Sequence, residues 1–316
     1  MGGHDHEGAL EYVALVFPLL LELADPGRVR RVAHGRLCAA ARGRVGAQAH
    51  DPVEFVQQRH QIRIGAALAA HGGHLRRGAR VLSMVDGRHP QRQSGFQLRF
   101  RVEGTQVGAK AFYFAPATDG SRGGTFFVNT EDPSSWGRFE LEAMAFHEGV
   151  PGHHLQLAIA AELPDTVPVF RRHLHNSAYA EGWGLYSERL SDEMGLYSSS
   201  LDRMGMYSAD SMRACLLVVD TGLHALGWSR QQAIDFMVAN SPLTEGVCRP
   251  EVDRYICRPG QATSYMVGRL EIERIRREAE ERQGEAFDVR RFHSAVLDSG
   301  SLPLGVLDRV VSARLT

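Results

Sequence analysis

Along most of the chain apolar side chains return every three to four residues, the spacing that gives a helix one buried face. In the first 80 residues this pattern is rich in Ala and Arg, and between Pro52 and His71 the positions Val53, Val56, Ile62, Ile64 and Leu68 share a broad face. Around residues 95–129 the period drops to two and β-formers take over. Phe96 to Val102, Ala111 to Ala115 and Thr125 to Val128, separated by Gly-rich turns, predict a small antiparallel sheet. From Ser135 the helical period resumes, punctuated at Pro151-Gly152, Gly227 and Pro259-Gly260, with a capping box at Ser229-Arg-Gln-Gln232. Helices are expected over 136–161, 176–194, 201–226, 229–239, 261–283 and 303–314. The fold class is therefore mainly α with a small antiparallel β-sheet (α+β). No internal repeat or low-complexity linker divides the chain, so a divergent N-terminal helical part over 1–90 and a second part over 91–316 read as one structural unit.

Composition narrows the partners. With 43% apolar and 23% charged residues among 316, the chain buries a large core and is not disordered. A net charge of −1 with both signs spread evenly leaves no basic stripe for nucleic acid. The four cysteines, Cys38, Cys215, Cys248 and Cys257, form no C-x-x-C pair, which argues against a disulfide framework or a thiolate zinc site and fits a reducing cytoplasm. The apolar run from Val13 to Leu21 is broken by Pro18, ends at Glu22 and follows an acidic stretch, so it reads as a buried helix and not as a signal or membrane span. A small molecule or short peptide is the expected substrate, and a homodimer is compatible with the pattern.

The chemistry concentrates in His147-Glu148-Gly-Val-Pro-Gly-His153-His154. A zincin holds its metal with two histidines one helical turn apart, and the glutamate after the first is the general base. Here the position four residues after His147 is Pro151. On a straight helix His154 would share the face of His147 but lie about 10 Å along the axis, and His153 would point roughly 120° away. Pro151-Gly152 argues against a straight helix, because proline removes a ladder hydrogen bond and glycine accepts the backbone excursion of a bulge. A bulge brings His153 to the second ligand position, with His154 as competitor or as a donor behind it. The third ligand is sought in Tyr179-Ala-Glu181-Gly-Trp-Gly-Leu-Tyr-Ser-Glu188, where two carboxylates lie two turns apart on one face. Glu181 is assigned as ligand, Glu188 as an acceptor orienting a ligand histidine, and Gly182 and Gly184 as spacers for close helix approach. Met204, Met206 and Met212 read as packing, His4 and His6 as a frayed end, and His173 and His175 as surface residues.

With His147-Glu-Gly-Val-Pro-Gly-His-His-Leu-Gln156 and Ala180-Glu-Gly-Trp-Gly-Leu-Tyr-Ser-Glu188, the chain resembles the bacterial family labelled domain of unknown function 885, regarded as gluzincin-like metallopeptidases. Asp119 to Asn129, Val219-Asp-Thr-Gly-Leu-His224, Val252 to Gln261 and Ser264-Tyr265 extend the likeness over roughly 110–312. The resemblance implies a zincin-like helical cleft with one Zn2+ per chain and an edge strand near Thr125–Asn129 able to pair with an extended substrate. It also implies oxyanion or substrate roles for His224, Tyr255 and Tyr265, and substrate contacts for Phe127, Asn129 and Arg258. Two departures bear on the substrate: family members carry a longer N-terminal half, and Met266 stands where the family has a lysine. The implied reaction is hydrolysis of an amide, peptide or ester bond with Glu148 as base. The rivals are a cyclase, lyase or hydrolase of secondary metabolism, and a catalytically silent scaffold.

Overall fold

The computed structural model describes residues 97–101, 111–117, 121–129 and 137–316. The N-terminal part over 1–90, with its expected helices at 13–21 and 52–71, lies outside them, as do His4, His6 and Cys38. Among the described residues three short strands, β1 (Gln97–Arg101), β2 (Ala111–Phe114) and β3 (Thr125–Asn129), precede ten α-helices. These are α1 (Leu141–Glu148), α2 (His153–Ala161), α3 (Val169–His173), α4 (Ser177–Glu193) and α5 (Ser200–Ala225), followed by α6 (Arg230–Asn240), α7 (Glu245–Cys257), α8 (Ser264–Gln283), α9 (Val289–Leu297) and α10 (Leu304–Arg314). The protein is thus mainly α with a small sheet. No helix among the described residues is long and apolar enough to cross a membrane.

In the sheet β2 pairs antiparallel with β3, as the alternation predicts, and β1 joins the other side of β3 in parallel. The order β1-β3-β2 makes β3 the central strand of the described sheet. The expected edge strand at Thr125–Asn129 is therefore corrected: both of its hydrogen-bonding sides are already paired, and its backbone has none left for an extended substrate. The outer strands are β1 and β2.

Local chemistry sets the helix starts. Asn176 accepts from the Tyr179 amide ahead of α4, Ser199 accepts from the Asp202 amide ahead of α5, and the Ser229–Gln232 capping box opens α6. The expected 136–161 helix is two helices, α1 and α2, separated at Gly149 to Gly152. Helices α3, α7 and α9 fall where none was expected. Pro250 lies inside α7, whose Cys248, Val252 and Tyr255 are buried against Leu216, Val219 and Ile234 of α5 and α6.

The larger core joins α4, α8, α9 and α10 around Trp183, Tyr186, Ile272 and Phe292, all within 1% of full burial. Each such side chain contributes about 1.5–3 kcal/mol. Helices α4 and α8 approach so closely that a Cβ on Gly182 would lie 2.5 Å from the Gly268 Cα, and one on Gly268 would lie 1.8 Å from the Ala178 carbonyl oxygen. Gly182 thus serves the contact with α8, not the approach to α1 expected from the sequence. Leu185, Leu217 and Met266 tie α4, α5 and α8 together beside the site.

Candidate metal centre

The break between α1 and α2 positions the two histidines. Helix α1 ends at Glu148 and α2 restarts at His153, so a break between two helices, not a bulge within one, returns His153 toward His147. Their rings stand 4.7 Å apart and nearly perpendicular. Gly152 is required here because a Cβ would fall 1.9 Å from the His147 carbonyl oxygen. The indole of Trp183 donates to the Pro151 carbonyl at 2.9 Å and ties this connection to α4.

Helix α4 brings the third group. Glu181 Oε2 lies 3.5 Å from His147 Nε2 and 3.4 Å from His153 Nε2. Gly184, one turn on, gives the His147 ring its room, since a Cβ there would meet the ring at 2.6 Å. Glu188 accepts a 2.7 Å hydrogen bond from His147 Nδ1, which turns Nε2 toward Glu181. His147 and Glu188 are almost completely buried. Burial alone would lower the His147 pKa, but the Glu181 and Glu188 carboxylates outweigh it and raise it to about 10. Burial would raise Glu181, but His147 and His153 hold it far below the usual carboxylate range.

His147, His153 and Glu181 form a three-donor cluster whose ligand atoms all lie within 4.8 Å of one another. A tetrahedral zinc with bonds of about 2.0–2.1 Å separates its ligands by about 3.3–3.4 Å. The 3.4 and 3.5 Å separations match that spacing. They exceed the about 2.7–2.9 Å of a charge-assisted hydrogen bond. Two imidazoles and one carboxylate are also the donor set of a catalytic zinc with an open fourth position. The residues fit the ion.

Glu148 is 7% exposed, and its Oε2 has no hydrogen-bond partner among the described residues. Burial raises its pKa above the ordinary carboxylate value, with His153 and His147 pulling the other way.

The remaining expected site residues divide. His154 is not brought to the cluster: its Nδ1 lies 2.7 Å from the Tyr113 hydroxyl of β2, and burial lowers its pKa to about 4. Tyr265 does reach the site, its ring 6.2 Å from that of His147. Gln261 bridges the two, donating to Glu181 at 3.4 Å and to the Tyr265 hydroxyl at 3.5 Å. The hydroxyl of Tyr255 is buried and donates to Glu251 on its own helix at 2.6 Å. His224 is exposed, and its Nε2 is bonded to the Tyr255 carbonyl at 3.1 Å, which leaves that nitrogen engaged away from the cluster. Arg258 is exposed just past α7. Phe127 stacks on Phe112 at 4.9 Å within the sheet, and the side chain of Asn129 lies outside the described residues. Among the described histidines His175 is exposed and joins no ligand cluster. Sequence reasoning passed over Tyr113, Gln261 and Arg213, the last with its guanidinium 5.2 Å over the Tyr265 ring.

A helical protein with two histidines and a glutamate converging from a broken helix and its neighbour is the class that fold and site define. Residues 99–311 match the family described as bacterial protein of unknown function (DUF885), and the chain belongs to that family. A crystal structure of a candidate lipoprotein from Colwellia psychrerythraea is 34% identical, with a TM-score of 0.72 over 78% of this chain and 42% of that one. A candidate lipoprotein of unknown function from Shewanella oneidensis shares the fold at 21% identity, with a TM-score of 0.69 over 94% of this chain and 56% of that one. The chain spans about half the length of these two solved structures. No curated protein matches it.

Proposed function

We propose that the protein is a metal-dependent hydrolase of amide, peptide or ester bonds, with zinc held by His147, His153 and Glu181. The observation that carries this reading is the convergence of those three donors within 4.8 Å, with the buried Glu148 Oε2 left without a hydrogen-bond partner among the described residues. Zinc bound there supplies Lewis acidity, which acidifies water and polarises a carbonyl. Glu148 takes the proton at Oε2 and delivers it to the leaving group; its raised pKa suits both halves of that exchange. Glu188 holds His147 in the tautomer that leaves Nε2 free for the ion. Tyr265, beside His147, is the hydroxyl placed to steady the developing oxyanion, a role that the positions of His224 and Tyr255 do not favour.

The central position of β3 removes one support for an extended peptide as substrate and favours a compact amide or ester. The lipoprotein descriptions of the two solved structures add the cell envelope to the cytoplasm as a place of action. The test pairs elemental analysis with a substrate panel. About one zinc per chain, lost in His147→Ala and Glu181→Ala, with turnover lost but zinc kept in Glu148→Gln, is the expected result. Near-normal turnover by Glu148→Gln excludes it as the base, and absence of metal from zinc-supplied protein removes the reading altogether.

A further inference from the structure

Arg213 on α5 stands out among the charged groups around the centre. Its guanidinium lies over the Tyr265 ring at 5.2 Å, and that ring in turn lies 6.2 Å from His147. Its charge acts on the Glu148 carboxylate and feels that of Glu188, which places it near the same carboxylates. Yet it forms no ion pair with a described residue. Its Nε is buried without a hydrogen-bond partner, and its Nη1 meets only the weakly accepting sulfur of Met212 at 3.3 Å. Nearby arginines are placed differently: Arg254 is paired with Glu251 at 2.7 Å, and Arg269 with Asp210 at 2.9 Å.

Arg213 is partly withdrawn from water, and with its Nε buried and no carboxylate paired to it the guanidinium has lost hydration that the described residues restore only in part. Its planar fork matches a carboxylate, and the aromatic face below fixes its plane. We propose that Arg213 is a specificity-determining residue that binds a carboxylate of the substrate in the cleft beside the metal centre. The molecule cleaved would then be an acylated amino acid or a short peptide with a free terminal carboxylate, an inference that rests on the hydrolase reading for its reaction but not for its binding.

The test is a calorimetric titration with matched probes, N-acetylalanine and N-acetylleucine, each as free acid and as carboxamide, against wild type, Arg213→Gln and Arg213→Lys. Zinc content and thermal melting are measured on the same samples, and each titration is repeated after chelator treatment. Wild type is expected to prefer the acids at least tenfold, roughly 1.4 kcal/mol. Arg213→Gln is expected to lose that preference at unchanged zinc content, and Arg213→Lys to keep part of it. An acid preference that survives in Arg213→Gln would assign the carboxylate to the metal or another group and overturn the proposal. Equal binding of acid and amide, or no binding, by folded wild type overturns it as well. An Arg213-dependent preference in protein that holds no zinc would sink the hydrolase reading while leaving the carboxylate site standing. If Arg213→Gln does not fold, Arg213→Lys decides: a reduced preference for the acids at unchanged zinc content and melting temperature counts in favour, and an undiminished preference counts against.

Discussion

Replacing Gly184 with alanine puts one methyl group against His147, the proposed metal ligand. The added Cβ would sit 2.6 Å from His147 Cε1 and 2.7 Å from Nε2. Ordinary carbon contacts begin at about 3.5 Å, so the ring must yield by about 1 Å. It cannot do so by simple tilting, because Nδ1 is held at 2.7 Å by the buried Glu188. Metal–ligand distances tolerate only about 0.2 Å, so a displacement of this size removes His147 from the coordination geometry. Disturbing what orients a ligand histidine costs about 10–100-fold in metal affinity, and that is the loss expected for Gly184→Ala. Stability should change far less. Overpacking costs about 1–3 kcal/mol, while alanine gains about 1 kcal/mol over glycine within a helix. A competition titration against a fluorescent zinc chelator reads the affinity, and thermal melting reads the stability. Gly305→Ala on α10, whose Cβ would meet nothing within 4 Å, serves as control with unchanged zinc affinity. Gly184→Ala protein that binds zinc as tightly as wild type would refute the placement of His147 as a ligand.

Other outcomes follow from neighbouring contacts. Glu188→Leu leaves the His147 Nδ1–H without an acceptor and should also weaken zinc about 10–100-fold, whereas Glu188→Gln, which can still accept, should lose less; equal affinity in all three proteins contradicts the orienting role. Gly182→Ala forces α4 and α8 apart at their closest point, and chemical denaturation should show a loss of at least about 1–3 kcal/mol. His154 titrates at about 4 when folded and near 6.5 when unfolded, so the unfolded chain binds the proton first and stability is lost as pH falls from about 6.5 toward 4. Urea unfolding at pH 7 and 5 should show that component, on the order of 2 kcal/mol, in wild type and not in His154→Gln. An identical pH dependence in the two proteins contradicts a neutral, buried His154.

The sequence carried the donor residues more clearly than their arrangement. Glu181 and Glu188 are seven residues apart, and on α4 that spacing alone puts both on the face that meets His147. Pro151-Gly152 announced a disruption, but whether it would favour His153 or His154 depended on the direction in which α2 restarts, which is set by packing against α4 and the sheet. Helix α9 escaped notice because His293 interrupts its apolar stripe; the imidazole is fully buried and bonded to the Tyr186 hydroxyl at 2.8 Å, a partner 107 residues away that no local pattern reveals. Arg213 has the same origin, since its contact with Tyr265 joins α5 to α8 and its own neighbours in sequence are ordinary helix. The partner of Tyr255, by contrast, was legible locally: Glu251 sits four residues earlier, one turn below it on the same helix.

The tie from the Trp183 indole to the Pro151 carbonyl has a bearing on how such a site can diversify. Helix α4 supplies the carboxylate donor, leaves space for one imidazole and fastens the connection that delivers the other, so a single rigid rod acts as the jig for all three. The sheet contributes none of the three donors and meets the centre through Tyr113 and His154, one step outside it. Changes in the strands, or in whatever precedes them, can therefore reshape what enters the cleft while the donor spacing stays fixed.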